Sequence, residues 1–143
     1  MRKYDTVVFD LDGTLLYTLE DLCDCVNVIM QRFGWKIHAL EQIRNFVGNG
    51  IGKLMERSVP EGRDNPRFEE AFEAFREYYT GHCRIKTRPY DGVLELMRTL
   101  KENGFHIAIV SNKNDAAVKE LNGIYFSEFT ESAIGDREGQ QRK

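Results

Sequence analysis

Several features that mark common protein classes are scarce or missing in this sequence. Its longest apolar runs are only a few residues long, so we expect no segment to span a bilayer. The first ten residues, MRKYDTVVFD, lack the apolar stretch and small-residue cleavage site of a secretion signal, which makes the cytoplasm the expected location. The net charge is −3 and no basic run is present, which argues against nucleic-acid binding and against a role at a membrane surface.

Cysteine is also scarce, with three residues at Cys23, Cys25 and Cys83. An odd number of cysteines in a cytoplasmic chain predicts thiols rather than a disulfide framework. Cys23 and Cys25 lie inside a helical pattern without a second cluster of ligands, so we interpret them as packing residues rather than as a metal site.

The remaining composition is that of a folded protein. Hydrophobic residues make up 41% of the 143 residues and charged residues 30%, with both signs interspersed, so disorder is not expected. This length suits one domain, or one domain that carries an insertion.

Hydrophobic patterns predict alternating strands and helices. Short apolar runs at 6–9 and 106–110, with a third at 130–134, predict strands that are buried in a parallel sheet. Apolar residues at helical spacing predict helices at 15–33, 40–47, 51–59, from 65–66 to about 82, 93–103 and 115–121. Thr18 and Asp21 resemble a capping box at the start of the first helix. We therefore predict an α/β core with a parallel sheet, formed by residues 1–15 and 84–143, into which residues 16–83 insert a helical block.

The stretch TVVFDLDGTLL, residues 6–16, places two carboxylates directly after the first strand. Because residues i and i+2 of an extended chain point the same way, Asp10 and Asp12 are expected to face one site. In parallel α/β sheets, ligands bind beyond the carboxyl ends of the strands, where Ser111 would also lie if the two strands are neighbours. Gly13 lets the chain turn sharply and approach a ligand closely.

This pattern has two interpretations: a chemical one, in which the acids form a catalytic site, and a plain one, in which they belong to an ordinary turn. One carboxylate can act as a nucleophile and the second can transfer protons, while a pair of nearby acids favours a bound cation such as Mg²⁺. The plain interpretation is a strand followed by an acidic turn, since Asp and Gly are ordinary turn residues. The apolar strand before the acids, together with Gly13, Thr14 and Leu15 after them, favours the chemical interpretation.

The same residues carry a resemblance to a known family. TVVFDLDGTLL resembles the first motif of the haloacid dehalogenase-like (HAD) phosphohydrolases, and IAIVSNK, residues 107–113, resembles their second. PYDGVLELMRTLKENG, residues 89–104, is similar to the helix before that second motif. FVGNGIGKLMERSV, residues 46–59, is similar to the helical cap of the phosphoglycolate phosphatase-like branch.

The resemblance implies a role for each matching residue. Asp10 would be the nucleophile and a Mg²⁺ ligand, and Asp12 the general acid/base, with its backbone carbonyl as a second ligand. Ser111 and the backbone amide of Asn112 would bind the phosphoryl group, aided by a helix that begins after Ser111. Lys143 would be the lysine of the third motif.

The resemblance also has gaps. The two acids of the fourth motif are absent, and Asp136 is a weak substitute for them that is more simply an acidic loop residue. The core is therefore expected to be incomplete at its C-terminal end. An open sheet edge beside Val7, Val8 and Phe9 would invite self-association. The fragment would be an early stop, a fragmentary gene or a cut piece.

In the family, the cap closes over the site and selects the substrate. Four polar cap residues could contact an anionic substrate, or could simply form a solvated helix face: Arg44, Asn49, Lys53 and Arg57. Asn49 and Lys53 are the better candidates because they flank a pair of glycines, where backbone can approach a ligand.

Three functions follow. The first is a Mg²⁺-dependent phosphatase that hydrolyses a small phosphorylated metabolite, such as phosphoglycolate, through an aspartyl-phosphate. The second is a truncated, catalytically impaired fragment of such an enzyme. The third is a phosphoryl-accepting signalling domain, which the helical block after the first strand disfavours.

Overall fold

A computed structural model describes residues 2–137. The chain divides into two compact units, one made of the residues up to Tyr17 and from Pro89 onward, the other of Thr18–Arg88. The strands are β1 (Thr6–Phe9), β2 (Leu16–Tyr17), β3 (Arg88–Pro89), β4 (His106–Asn114) and β5 (Ser132–Asp136). The helices are α1 (Leu19–Arg32), α2 (Leu40–Phe46), α3 (Gly50–Ser58), α4 (Phe68–His82), α5 (Val93–Glu102) and α6 (Asp115–Tyr125).

The first unit is built on a parallel sheet with the strand order β1-β4-β5. Thr6 of β1 pairs with His106 of β4, and Phe9 pairs with Ile109, while Ala108 of β4 pairs with Ser132 of β5. The predicted α/β class with a parallel sheet is confirmed. Leu16–Tyr17 and Arg88–Pro89 form a separate two-stranded pairing, where the chain passes from one unit to the other and back.

One face of this sheet carries the core. Alternate residues of the strands point to the same face, and Ile107, Ile109 and Ala133 are buried with Met97 of α5 and Val118 of α6. The other face is more open: Val8 is 58% exposed and Ile134 is 40% exposed.

In the described part of the chain, β1 is an edge strand with no neighbour beyond it. Val7 and Phe9 are half-buried and Val8 is exposed. The predicted open edge beside these residues is present in the described part of the chain. An unpaired edge presents backbone N–H and C=O groups to other chains.

The second unit is helical, as predicted. α1 packs against α2 and α4, and α3 packs against α2 and α4. The predicted apolar face of α4 is buried, including Phe68, Phe72 and Phe75. α1 ends as predicted, with Gly34 in the left-handed region at a φ of 73°; its N–H donates to the Gln31 carbonyl and that of Trp35 to the Met30 carbonyl.

The capping box predicted for α1 is wrong. Thr18 occupies the N-cap position, but its side chain makes no capping hydrogen bond. The Asp21 carboxylate turns away from the helix terminus and accepts hydrogen bonds from the backbone N–H groups of Lys86 and Thr87. These donors are remote in the sequence, and they bind the carboxylate in place of the N–H groups at the start of the helix.

Three predicted boundaries also differ. α4 begins at Phe68, because the Asn65 side chain accepts from the N–H of Arg67 in a turn before the helix. β4 extends through Ser111 to Asn114 rather than ending at 110. α6 begins at Asp115, as predicted, but continues to Tyr125 rather than ending at 121. Its N-cap is Asn114, whose side chain accepts from the N–H groups of Ala116 and Ala117.

Across residues 2–137, no helix combines the length and the apolar character needed to cross a membrane.

Candidate active site

A tight turn after β1 positions the two predicted acids. Leu11 is fully buried between them, so the alternation of the extended chain leaves Asp10 and Asp12 on the opposite side, both half-buried. The carbonyl of Leu11 accepts from the N–H groups of Leu15 and Leu16, and the N–H of Gly13 donates to the Leu16 carbonyl. Gly13 has a φ of 76°, which an L-residue rarely adopts.

The last residues of β4 supply the other half of the site. Ser111 is buried, and its hydroxyl oxygen accepts a hydrogen bond from the backbone N–H of Lys113 at 3.1 Å. A serine hydroxyl that accepts one bond keeps its own proton to donate. Because Phe9 pairs with Ile109, the segments that follow both residues lie at the same edge of the sheet.

A contact between the two segments joins them directly. The Lys113 Nζ lies 3.5 Å from Oδ1 of Asp12, and the Lys113 side chain is only 4% exposed. Within the described residues, this Asp12 oxygen and Oδ1 of Asn112 are buried without a hydrogen-bond partner. The Asp12–Lys113 contact is therefore an ion pair without hydrogen-bond geometry. Two partnerless acceptor oxygens at one edge leave acceptor capacity for a ligand.

The predicted residues fall into two groups. The structure brings Asp12 to the end of β4, where Ser111 and Asn112 lie, and Asp10 lies in the same turn as Asp12. Asn49 and Lys53 lie in the helical unit: Asn49 is exposed at the start of α3, and Lys53 forms an ion pair with Glu56 at 3.1 Å.

The other cap candidates and the later motif residues are placed as follows. Arg44 forms an ion pair with Glu41, and Arg57 donates to the carbonyl of Phe46, so both have partners within the helical unit. Asp136 is the last residue of β5 and pairs with Asn114. Lys143 lies outside the described residues.

Hydrogen bonds and ion pairs of Asp115 hold the turn from β4 into α6 in place, next to the site. The Asp115 carboxylate accepts from the backbone N–H of Gly135 at 2.8 Å and pairs with Lys119 and Arg137. These partners, the Gly135 N–H foremost, lower the pKa of Asp115 to about 2. Gly135 also lies against β4 so closely that a Cβ built on it would be 2.4 Å from the carbonyl oxygen of Lys113.

The donor set suits a hard divalent cation. The acids after β1 offer oxygen ligands, and both are half-buried, which leaves room for the water molecules that Mg²⁺ usually keeps. Among residues 2–137, no three or more Asp, Glu, His or Cys side chains gather in a metal-binding group. The oxygen donors of Asp10 and Asp12 fit a cation that takes one or two carboxylates and keeps water and substrate oxygens as its other ligands.

Sequence reasoning missed Lys113. It placed Lys113 in the second motif without assigning it a role. The available signal was spacing, because Lys113 follows Ser111 by two residues and so faces the same side of an extended strand.

Comparisons with known proteins identify the family. The model of the haloacid dehalogenase-like hydrolases matches residues 7–138. This chain belongs to that family.

Curated relatives in the same family are phosphoglycolate phosphatases. The protein of Thiobacillus denitrificans is 35% identical over 111 residues, which are 75% of this chain and 49% of the relative. The protein of Neisseria meningitidis is 34% identical over 125 residues, 85% of this chain and 53% of the relative. The chain thus spans about half the length of these curated relatives.

Solved structures of the family share the fold. The structure of a provisionally assigned phosphoglycolate phosphatase from Lactobacillus delbrueckii subsp. bulgaricus superposes with a TM-score of 0.91 at 32% identity, covering 99% of this chain and 69% of that one. A Haemophilus somnus structure gives the same TM-score at 24% identity and covers 67% of that chain, which supports the fold alone.

Proposed function

We propose that this chain is built for phosphatase chemistry on a small phosphomonoester, with Asp10 as nucleophile and Asp12 as general acid/base. The observation that carries the proposal is the contact of Asp12 with Lys113, because it joins the acidic turn after β1 to the polar end of β4. Carboxylates, a hydroxyl and an ammonium group at one sheet edge suit a phosphoryl group.

The proposed reaction has two steps. A carboxylate oxygen of Asp10 attacks the phosphorus, the ester P–O bond breaks, and Asp12 gives a proton to the leaving alkoxide. Asp12 then takes a proton from a water molecule that attacks the aspartyl-phosphate, which releases inorganic phosphate and restores Asp10. Ser111 and the backbone N–H of Asn112 would hold the phosphoryl oxygens during both steps.

Magnesium is the proposed cofactor, and Asp10 and Asp12 are the residues that would hold it. A bound Mg²⁺ would neutralise charge on the phosphoryl oxygens, which a site of two carboxylates otherwise repels. Lys143, the proposed lysine of the third motif, would add a further positive charge.

Phosphoglycolate is the proposed substrate because the similar curated relatives carry that name. The helical unit, Thr18–Arg88, is the proposed cap, and Asn49 and Lys53 are its proposed substrate contacts. The cytoplasm is the proposed location, since all three cysteines are buried and none forms a disulfide. A second copy of the chain, bound at the open edge of β1, is the proposed partner besides small phosphorylated metabolites.

Release of p-nitrophenol from p-nitrophenyl phosphate tests the proposal. We expect release that requires Mg²⁺, disappears with EDTA and is lost in Asp10→Asn. Asp12→Asn should slow it about 10²–10⁴-fold, the usual contribution of a general acid/base. The matched control is Asp24→Asn on the exposed face of α1. Release from wild type that is no faster than from Asp10→Asn would sink the proposed activity.

A second candidate is a family member in which catalysis is impaired. It is favoured by the lack of any group of three potential metal ligands within residues 2–137. Losing one group that stabilises the transition state costs about 10²–10³ in rate. Substrate binding without turnover, even at high Mg²⁺, would support this candidate, whereas rapid turnover would exclude it.

A further inference from the structure

The polar end of β4 departs from regular pairing with β5. Val110 pairs with Ile134, and the next paired residues are Asn114 and Asp136. Between these two pairs β4 has three residues and β5 has one, so the longer segment, residues 111–113, forms a bulge. Bulges bend a strand, redirect its side chains and are frequent next to active sites. This bulge carries the residues that are proposed to bind the phosphoryl group.

The shape of the bulge depends on contacts outside the regular ladder, which is interrupted here. Within the bulge, the backbone N–H of Lys113 donates to the hydroxyl oxygen of Ser111 at 3.1 Å. On the opposite strand, Gly135 packs so closely that a Cβ built on it would lie 2.4 Å from the Lys113 carbonyl oxygen. The position of β5 therefore limits where the backbone of the bulge can lie.

A side chain holds β5 in that position. Asp115 is the first residue of α6, directly after β4, and its Oδ1 accepts a hydrogen bond from the Gly135 N–H at 2.8 Å. The Asp115 side chain is 18% exposed, and it also pairs with Lys119 and with Arg137. The residue opposite the bulge is thus fastened to the residue that ends the turn after it.

We infer that Asp115 is a positioning residue: its bond to Gly135 holds β5 against the bulge and so keeps Ser111 and the Asn112 N–H in place for the phosphoryl group. The inference rests on the proposed function for the roles of Ser111 and Asn112. The acceptor oxygen, rather than the negative charge, is the feature that positions the bulge, because a neutral amide oxygen also accepts an N–H bond.

Two variants of Asp115 separate positioning from general stability. Asp115→Asn keeps an acceptor oxygen for the Gly135 N–H and loses the ion pairs, whereas Asp115→Ala loses both. If Asp115 acts only on stability, both variants change the melting temperature and leave the bulge as it is. If Asp115 positions the bulge, the alanine variant alone disturbs it and asparagine restores it.

Hydrogen exchange of the full chain, followed in ¹H–¹⁵N spectra, measures the bulge directly. The Lys113 amide is the reporter, because its bond to the Ser111 hydroxyl forms within the bulge. We expect this amide to exchange about tenfold faster or more in Asp115→Ala, as loss of one hydrogen bond allows, and at nearly the wild-type rate in Asp115→Asn. Equal exchange in wild type and Asp115→Ala, or equal acceleration in both variants, would overturn the inference.

Lys119→Met is the matched control. It removes an exposed ion pair of Asp115 and leaves the bond to Gly135 intact, so the Lys113 amide should exchange as in wild type. Faster exchange in Lys119→Met, to the same extent as in Asp115→Ala, would assign the effect to charge and contradict the inference.

The kinetic counterpart is p-nitrophenyl phosphate hydrolysis. We expect Asp115→Ala to lower kcat about tenfold or more, because misplaced groups stabilise the transition state less well. The Mg²⁺ concentration for half-maximal rate should not change, since the turn after β1 positions Asp10 and Asp12 separately. A kcat that falls no further in Asp115→Ala than in Asp115→Asn would contradict the inference.

Exchange in the wild-type protein decides the matter if Asp115→Ala does not fold. Coupling of the two segments predicts that the amides of Lys113 and Gly135 exchange through a common opening, with equal protection that falls together as urea is added. A Lys113 amide that exchanges while that of Gly135 stays protected would contradict the inference.

The two proposals can fail separately. A Lys113 amide that responds to Asp115→Ala, in a protein that releases no p-nitrophenol, would remove the phosphatase and keep the positioning of the bulge. Release that depends on Mg²⁺ and Asp10, with exchange and kcat equal in the two Asp115 variants, would do the reverse.

Discussion

Asp21 in the first turn of α1 accepts two hydrogen bonds from Thr87, one from its backbone N–H at 2.8 Å and one from its hydroxyl at 2.7 Å. The Lys86 N–H donates to the same carboxylate, and Asp21 is only 2% exposed. The Asp21 side chain therefore connects the first helix of the helical unit to the last residues of that unit.

We expect Asp21→Asn to lower the free energy of unfolding by about 2–3 kcal/mol, because an amide N–H₂ would replace an oxygen that faces N–H donors. Urea denaturation followed by circular dichroism measures the loss. Asp24→Asn is the control: Asp24 pairs with Lys86 on the exposed surface, where ion pairs contribute little. Equal losses in the two variants would show that the buried hydrogen bonds of Asp21 contribute no more to the free energy of unfolding than the exposed ion pair of Asp24.

The second prediction concerns Gly135 in β5. A Cβ at this position would lie 2.4 Å from the Lys113 carbonyl oxygen and 2.6 Å from Cα of Asp115, and neither backbone atom can swing aside. We expect Gly135→Ala to destabilise the protein by about 3 kcal/mol or more, at the upper end of overpacking costs. Thermal unfolding of the purified variant measures it.

Gly123 in α6 offers the opposite case. No heavy atom lies within 4 Å of the position where its Cβ would be. Gly123→Ala should therefore raise stability by about 0.5–1 kcal/mol through helix propensity alone. If both alanine variants were equally stable, the close packing of β5 against the β4–α6 turn would be refuted.

The third prediction is a pH dependence centred on Asp115. The Gly135 N–H and the side chains of Lys119 and Arg137 lower the pKa of its carboxyl from 3.8 to about 2 in the folded protein. A lowered folded-state pKa adds stability that is fully present above the unfolded value and is lost as the pH falls through the folded value. Asp115→Asn should thus melt below wild type at pH 7, and the difference should shrink between about pH 4 and pH 2.

Melting temperatures of both proteins across that range provide the measurement. Asp91→Asn, in the exposed turn before α5, is the control for the loss of one surface carboxylate. A gap between wild type and Asp115→Asn that stays constant with pH would mean that ionisation of Asp115 does not contribute to folding.

Local patterns predicted much of this fold for clear physical reasons. Apolar runs predicted β1 and the first half of β4 because strands of parallel sheets are rich in apolar residues, although one face of this sheet is open. The second half of β4 was missed because Ser111–Asn114 are polar, and the strand continues only through its pairing with β5, where Asn114 faces Asp136. The capping box was predicted wrongly because of another long-range contact. A threonine followed three residues later by a carboxylate is the same sequence pattern whether the carboxylate binds N–H groups of its own helix or N–H groups far along the chain.

For the site, too, local features could be predicted from the sequence and long-range contacts could not. The D-x-D spacing after a strand is local, so Asp10 and Asp12 could be proposed from the sequence alone. The contact of Asp12 with Lys113 depends on which strands are neighbours and on the pairing of Phe9 with Ile109. Register is a long-range property, and no local pattern in this sequence encodes it.

The last prediction concerns the open edge of β1. Val8 is 58% exposed on a strand with no neighbour beyond it in the described part of the chain, and such edges template pairing with another chain. We expect the protein to self-associate with increasing concentration, and Val8→Lys to shift it toward monomer, since a charged residue on an edge strand opposes strand addition. Sedimentation velocity over a range of concentrations measures both effects.

The control for this test is Leu96→Lys on α5, which adds the same charge at a site that is 47% exposed but away from the sheet edge. Net charge changes equally in the two variants, so a general gain in repulsion would disperse both. Dispersal by Val8→Lys alone would assign the association to β1. Equal dispersal by Leu96→Lys, or a wild type that stays monomeric at every concentration, would exclude this edge as the contact.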